Sequence, residues 1–197
     1  TAIGSGAMVN NTLADWNTAV GANSLHANTT GENNVAFGNE AMYFNTTGTD
    51  NTALGTSSLR DNLTGNNNVA VGTNAMKENT IGIENTAVGY QSLPKNTTGV
   101  QNTALGVKAL FTNATGDRNT AVGSEALVSN LASGNNAFGY RALYANTTGS
   151  ANTAIGYYTL SANTTGSANT AIGSGALDSN VSGHSNLALG VNCLASN

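Results

Sequence analysis

Asn102-Thr103-Ala104-Leu105-Gly106-Val107-Lys108-Ala109-Leu110-Phe111-Thr112-Asn113-Ala114-Thr115-Gly116-Asp117-Arg118 decides the fold, because the rest of the chain is that stretch again. With Gly106 as a marker, the equivalent glycine returns at Gly4, Gly21, Gly38, Gly55, Gly72, Gly89, Gly123, Gly139, Gly156, Gly173 and Gly190. Each lies 17 residues from the last, apart from one 16-residue step between Gly123 and Gly139. A fixed period of this length marks stacked coils and outranks local propensity. Residues 1–197 are therefore expected to form one all-β array, a parallel β-solenoid of about twelve 17-residue coils. The opening Thr1-Ala2-Ile3-Gly4 lacks the leading Asn of the later copies, as expected of a segment of a longer protein.

The columns of the repeat assign roles. Immediately before the marker stand large apolar residues such as Val20, Phe37, Leu54, Leu105, Phe138 and Ile155; four residues after it stands Leu or Met in every copy. These two columns are expected to form the core, on two short strands per coil with a bend at the glycine. Glycine and β-branched residues at these places exclude a helix. Three residues before the marker, Thr exchanges with Val and Leu (Thr103, Val69, Leu187), as at the edge of a core.

Between those columns lies alanine in every copy, including Ala53, Ala70, Ala87, Ala104, Ala121 and Ala154. Strand alternation would put it on the face opposite the large residues. Nothing larger occurs there, and the column three after the marker is also small throughout (Ala109, Ala126, Ser58, Ser92, Thr159). Two small-only columns predict a second close-packed face where another chain approaches, with these alanines as inter-chain packing residues.

Asparagine recurs four residues before the marker (Asn102) and seven after it (Asn113, and at the chain end Asn197). It tolerates left-handed backbone, and its amide can bond the same residue one coil on, giving a ladder. The sequons formed there, such as Asn28-Thr29-Thr30, Asn96-Thr97-Thr98 and Asn163-Thr164-Thr165, are by-products of the turn, because the Asn persists at Asn79 and Asn130 where the sequon is broken. The shortened copy, Asn130-Leu131-Ala132-Ser133-Gly134, loses its residue in this turn, where a deletion costs least.

Composition narrows the function. Charged residues make up 8% of the chain and the net charge is −4, so no basic stripe exists to neutralise nucleic-acid phosphates or anionic lipid. No apolar run reaches the length of a membrane span. Cys193 occupies a column otherwise filled by Ala, Ser and Thr and reads as a small filler.

The units Asn34-Val35-Ala36-Phe37-Gly38, Asn68-Val69-Ala70-Val71-Gly72 and Asn152-Thr153-Ala154-Ile155-Gly156 resemble the Val-Ala-Ile-Gly repeat of YadA-like trimeric autotransporter heads. The longer unit from Asn85 to Val100 is similar to repeats of phage and bacterial tail-fibre proteins. The resemblance implies a left-handed parallel β-roll, three chains side by side, and attachment at a cell or virion surface. The adhesin heads use a shorter unit than this one.

Chemistry is sparse. His26 and His184 fall in different columns and the carboxylates are scattered; Glu32 and Asp50 are near neighbours in adjacent turns and could hold a cation, but solvated surface carboxylates are much the commoner case. No paired carboxylates, metal-ligand spacing or phosphate loop emerges, so the chain is read as non-enzymatic, with no cofactor or metal. Outward aromatics are the main surface feature. Tyr90, Tyr140 and Tyr157 share one column and Tyr43, Phe111 and Tyr144 another, with Phe44 and Tyr158 nearby. They could stack on sugars or anchor a protein receptor, though shielding corners or filling grooves between chains is the commoner role for such rings.

The expected function is a structural and adhesive segment of an extracellular homotrimeric fibre that attaches to a host cell or surface. The alternative is ice binding by stacked threonines (Thr30, Thr47, Thr64, Thr98, Thr115, Thr148, Thr165). A glycan-degrading solenoid ranks third, for want of clustered carboxylates.

Overall fold

A computed structural model describes residues 1–195. Twelve strands run in sequence order through one parallel sheet: β1 (Ala2–Ile3), β2 (Thr18–Val20), β3 (Val35–Phe37), β4 (Thr52–Leu54), β5 (Val69–Val71), β6 (Thr86–Val88), β7 (Thr103–Leu105), β8 (Thr120–Val122), β9 (Asn136–Phe138), β10 (Thr153–Ile155), β11 (Thr170–Ile172) and β12 (Leu187–Leu189). The chain is an all-β solenoid of about 11 turns without a helix among the described residues. Like stacks on like, as in Thr103↔Thr120, Ala104↔Ala121 and Leu105↔Val122. The short coil keeps this register, with Ala121↔Ala137 and Val122↔Phe138.

Each coil has one strand, not two. After the marker glycine the chain stays hydrogen-bonded to its neighbours, for example Asn23 N–H to the Ser5 carbonyl (2.8 Å) and Leu25 N–H to the Ala41 carbonyl (2.9 Å). It cannot extend, because the residues two and four after the marker are left-handed; in the coil of Gly106 these are Lys108 (φ 55°) and Leu110 (φ 51°). A third left-handed residue, such as Arg118 (φ 54°), precedes the next strand. Left-handed backbone costs a non-glycine residue roughly 1–2 kcal/mol, so burial and cross-coil bonding must hold every such leucine in place. Gly106 is required twice over: its φ is +138°, and a Cβ there would stand 2.6 Å from the Gly123 carbonyl oxygen.

The alternation is opposite in phase to the sequence-based expectation. Between the two end coils the alanine column, including Ala53, Ala70, Ala87, Ala104, Ala121 and Ala154, is fully buried inside its own chain, together with the Leu/Met column and the small column three after the marker. These alanines therefore cannot be inter-chain packing residues. The large column before the marker points outward: Leu105 is 38% exposed, Ile155 40% and Phe37 57%. The Thr column joins it, with Val69 and Leu187 exposed. The physical reason is interior width. A single coil encloses room for a leucine and two small side chains, so the larger strand residues take the outer face.

The rest of the interior is polar and almost fully bonded. In one ladder the Asn102 N–H donates to Asn85 Oδ1 (2.9 Å), while Asn102 Nδ2 donates to the Gly116 carbonyl (2.8 Å). In the other, Asn79 Nδ2 donates to Asn62 Oδ1 (2.7 Å) and to the Gly82 carbonyl (3.0 Å). Asn197, the end of that column, lies outside the described residues. The short coil substitutes the Ala132 carbonyl, which accepts from both Asn119 and Asn130. Its strain appears one coil earlier: Asn96 Oδ1 is the one buried side-chain polar atom without a partner among the described residues, and the next rung, Asn130 to Asn113, stretches to 3.3 Å.

Ala104→Leu should therefore overpack the interior and lower stability by about 1–3 kcal/mol. Val107→Ser, at a column that already holds Ser5 and Ser124, should stay within about 0.5 kcal/mol of the parent. Denaturant unfolding measures both; an unchanged midpoint for Ala104→Leu would put the alanines on the outside.

Candidate functional site

Two surfaces stand out once the interior is assigned, apart from the exposed outer turn. The first is the outer face of the sheet. Its two outward columns contain no charged residue in any coil, and the large apolar member runs uninterrupted from Ile3 to Leu189. The second is the stretch just after the marker, which changes in size and chemistry from coil to coil. It carries all the sequence-predicted aromatics and five of the six cations, Arg60, Lys77, Lys95, Lys108 and Arg141; Arg118 sits elsewhere.

Here the aromatics fall into separate groups. Tyr140 and Tyr157 stack across adjacent coils (5.5 Å between centroids, 20° between planes), with the Tyr158 ring edge-on to both. Arg141 lies over Tyr140, Tyr144 and Tyr158, pairs through Nε with Glu125 (2.6 Å) and donates from its terminal nitrogen to the Tyr158 hydroxyl (2.8 Å). The bond to Glu125, and then that to Tyr158, hold the guanidinium even further above its ordinary pKa. Partial desolvation raises the Tyr140 phenol, helped by Tyr158 and opposed by Arg141. This group satisfies itself.

The ammonium groups of Lys95 (5.4 Å) and Lys108 (5.9 Å) both lie over the Phe111 ring. Tyr90 is 49% exposed and has no ring or cation against it among the described residues. In the N-terminal half, His26 stacks flat on Tyr43 (4.8 Å, 4°) while its Nδ1–H donates to the Gly6 carbonyl; Phe44 meets Tyr43 edge-on (4.6 Å). Arg60 lies 5.8 Å from the Phe44 ring centre and pairs through Nε with Asp61 (2.8 Å). These side chains border a cleft of about 280 Å³, lined by Asn23, Glu40, Tyr43, Phe44 and Arg60. Of these, Asn23, Glu40 and Arg60 were not singled out from sequence. The shared spacing of Tyr43 and Arg60, with Glu40 at the left-handed position of its coil, was the available signal.

His184 is apart from all this; its Nδ1 accepts the Ser167 N–H (3.0 Å). Cys193 is half-buried against the core cluster. Among the described residues no group of three or more His, Cys, Asp or Glu could hold a metal ion, and no helix is long and apolar enough to cross a membrane. Comparison with protein-family models, curated proteins and solved structures gives no match.

The ladder geometry bears on the sequons. Asn28, Asn45, Asn62, Asn96, Asn113, Asn146 and Asn163 are fully buried, with their amide nitrogens bonded inside the coil. Asn10, in Asn10-Asn11-Thr12, is exposed. Treating folded protein with an oligosaccharyltransferase should place a glycan on Asn10 alone, as read by mass spectrometry. Occupancy at the ladder positions without loss of fold would contradict these bonds.

Proposed function

We propose that the chain is a non-enzymatic, rigid segment of an extracellular homotrimeric fibre, a tail fibre or adhesin, that takes part in attachment to a host cell or surface. The observation that carries this is the uncharged apolar stripe on the outer face of the sheet. Twelve strands at about 4.8 Å, each about 10 Å wide, make an uncharged face on the order of 500 Å², the size of the largest patches on single chains, which are often functional. Sister chains with the same stripe in the same order offer a matching surface along its whole length. The number three rests on the likeness of the Val-Ala-Ile-Gly units to trimeric adhesin heads. The variable columns after the marker would then face outward and supply contacts with a receptor, glycan or protein.

Ice binding has one observation in its favour: Thr30, Thr47, Thr64, Thr98, Thr115, Thr148 and Thr165 are all exposed in one column. Ile81 interrupts it, and the adjoining threonines are engaged, as Thr80 Oγ1 donates to the Thr97 carbonyl (2.8 Å). Purified protein should show no thermal hysteresis.

Light scattering of the purified chain should return three times the 19.7 kDa chain mass. Replacing Leu54, Leu105 and Ile155 together by Ser should release folded monomers with an unchanged β spectrum. A parent chain that stays monomeric on concentration, or a triple variant that stays trimeric, would overturn the proposal.

A further inference from the structure

We propose that the cleft bordered by Asn23, Glu40, Tyr43, Phe44 and Arg60 binds a single neutral sugar unit of a glycan. The inference deepens the attachment role proposed above by naming the ligand class. It does not draw on the sheet face, since none of the five residues belongs to the outward columns of the sheet.

The first reason is what the side chains leave free. In the other main aromatic group the polar ends are engaged: Arg141 bonds Glu125 and Tyr158 under three rings. Around this cleft, no side-chain hydrogen bond is made by Asn23 or Glu40 among the described residues, and Arg60 uses only Nε, on Asp61. The residues that line this one cleft thus carry a free amide, a free carboxylate and the free end of a guanidinium. A carboxylate only accepts, a guanidinium only donates and an amide does both. A sugar hydroxyl does both as well, so neighbouring hydroxyls can satisfy all three.

The second reason is the apolar wall. Tyr43 is held flat by His26, and Phe44 stands across it at 76°. The two rings form a fixed corner that can cover the C–H face of a pyranose, with little side-chain entropy left to lose. The cation position over Phe44 is already taken by Arg60, which disfavours an ammonium ligand.

Size and charge narrow the class. About 280 Å³ falls just below the usual range of ligand clefts, enough for one ring and no more. A protein partner would need an interface of about 1,000 Å² or more, beyond what this cleft offers. Glu40 and Asp61 outnumber Arg60 by one charge, so an acidic sugar is repelled and a neutral one is not.

Saturation-transfer NMR on the intact chain tests this with methyl α-mannoside, methyl β-galactoside and methyl β-N-acetylglucosaminide, and with 3′-sialyllactose as the acidic probe. At least one neutral glycoside should bind with a Kd of about 1–10 mM. Tyr43→Ala should weaken it roughly tenfold or more, and Glu40→Gln several-fold. The Tyr43 column already holds Val9, Ser161 and Ala195, so the alanine variant should fold. Absence of binding by all three glycosides, binding that survives Tyr43→Ala in folded protein, or tighter binding of sialyllactose would overturn the proposal. A trimer that takes up no sugar would reject the cleft and leave the fibre. A monomer that binds sugar would do the reverse.

Discussion

A seventeen-residue coil encloses very little volume, and that limit governs every other choice in the chain. Each inward side chain is an alanine, a serine or threonine closing on a nearby carbonyl, one leucine or methionine, or an asparagine bonded to its neighbours above and below. The leucine reaches its place only through left-handed backbone, which stops the second half of the coil from becoming a strand. The asparagines answer a different need. Turn backbone closed away from water requires partners, and the two ladders supply them once per coil. Where a residue is missing, the ladder shows it first, at Asn96 and Asn113.

Interior, sheet face and corner then divide the work. The interior hardly varies, because any enlargement meets the opposite wall. The sheet face varies in size but never in charge, from Val71 to Phe37 to Leu105, as suits a surface that needs apolar cover rather than exact fit. The corner after the marker varies in chemistry as well as size, and it is there that the aromatic groups and most of the cations gather. Array proteins of this kind keep architecture in the repeated positions and place recognition in the varied ones. The two main aromatic groups illustrate two ends of that use. The group around Arg141 is closed on itself, whereas the one around Tyr43 leaves polar ends facing a cleft.

Much of this was legible in the letters alone. Period, parallel register, both asparagine columns and the place of the deletion follow from spacing. Inside and outside did not, because alternation sorts residues into two sets without saying which set is enclosed. The clue was present in the variance: a column that passes from Val to Phe with no compensating change cannot be a packed interior, while an invariant alanine marks a wall. Left-handed leucine leaves no trace in its own identity; only the asparagines and glycines at neighbouring left-handed positions, such as Asn23, Asn74 and Gly175, hint at the curl. The cleft was hidden for another reason. Its residues come from three successive coils, and only the stacking of those coils makes Asn23, Glu40 and Arg60 neighbours of one pair of rings.

Thiol accessibility tests the phase of the coil most directly. In a Cys193→Ser background, Ala104→Cys and Leu105→Cys differ by one residue along the same strand. The account predicts that the cysteine at 104 resists a maleimide in every assembled or dissociated state until the chain unfolds. The cysteine at 105 should be shielded only while chains are associated and should react on dilution. A cysteine at 104 that labels rapidly in the folded chain would contradict the account.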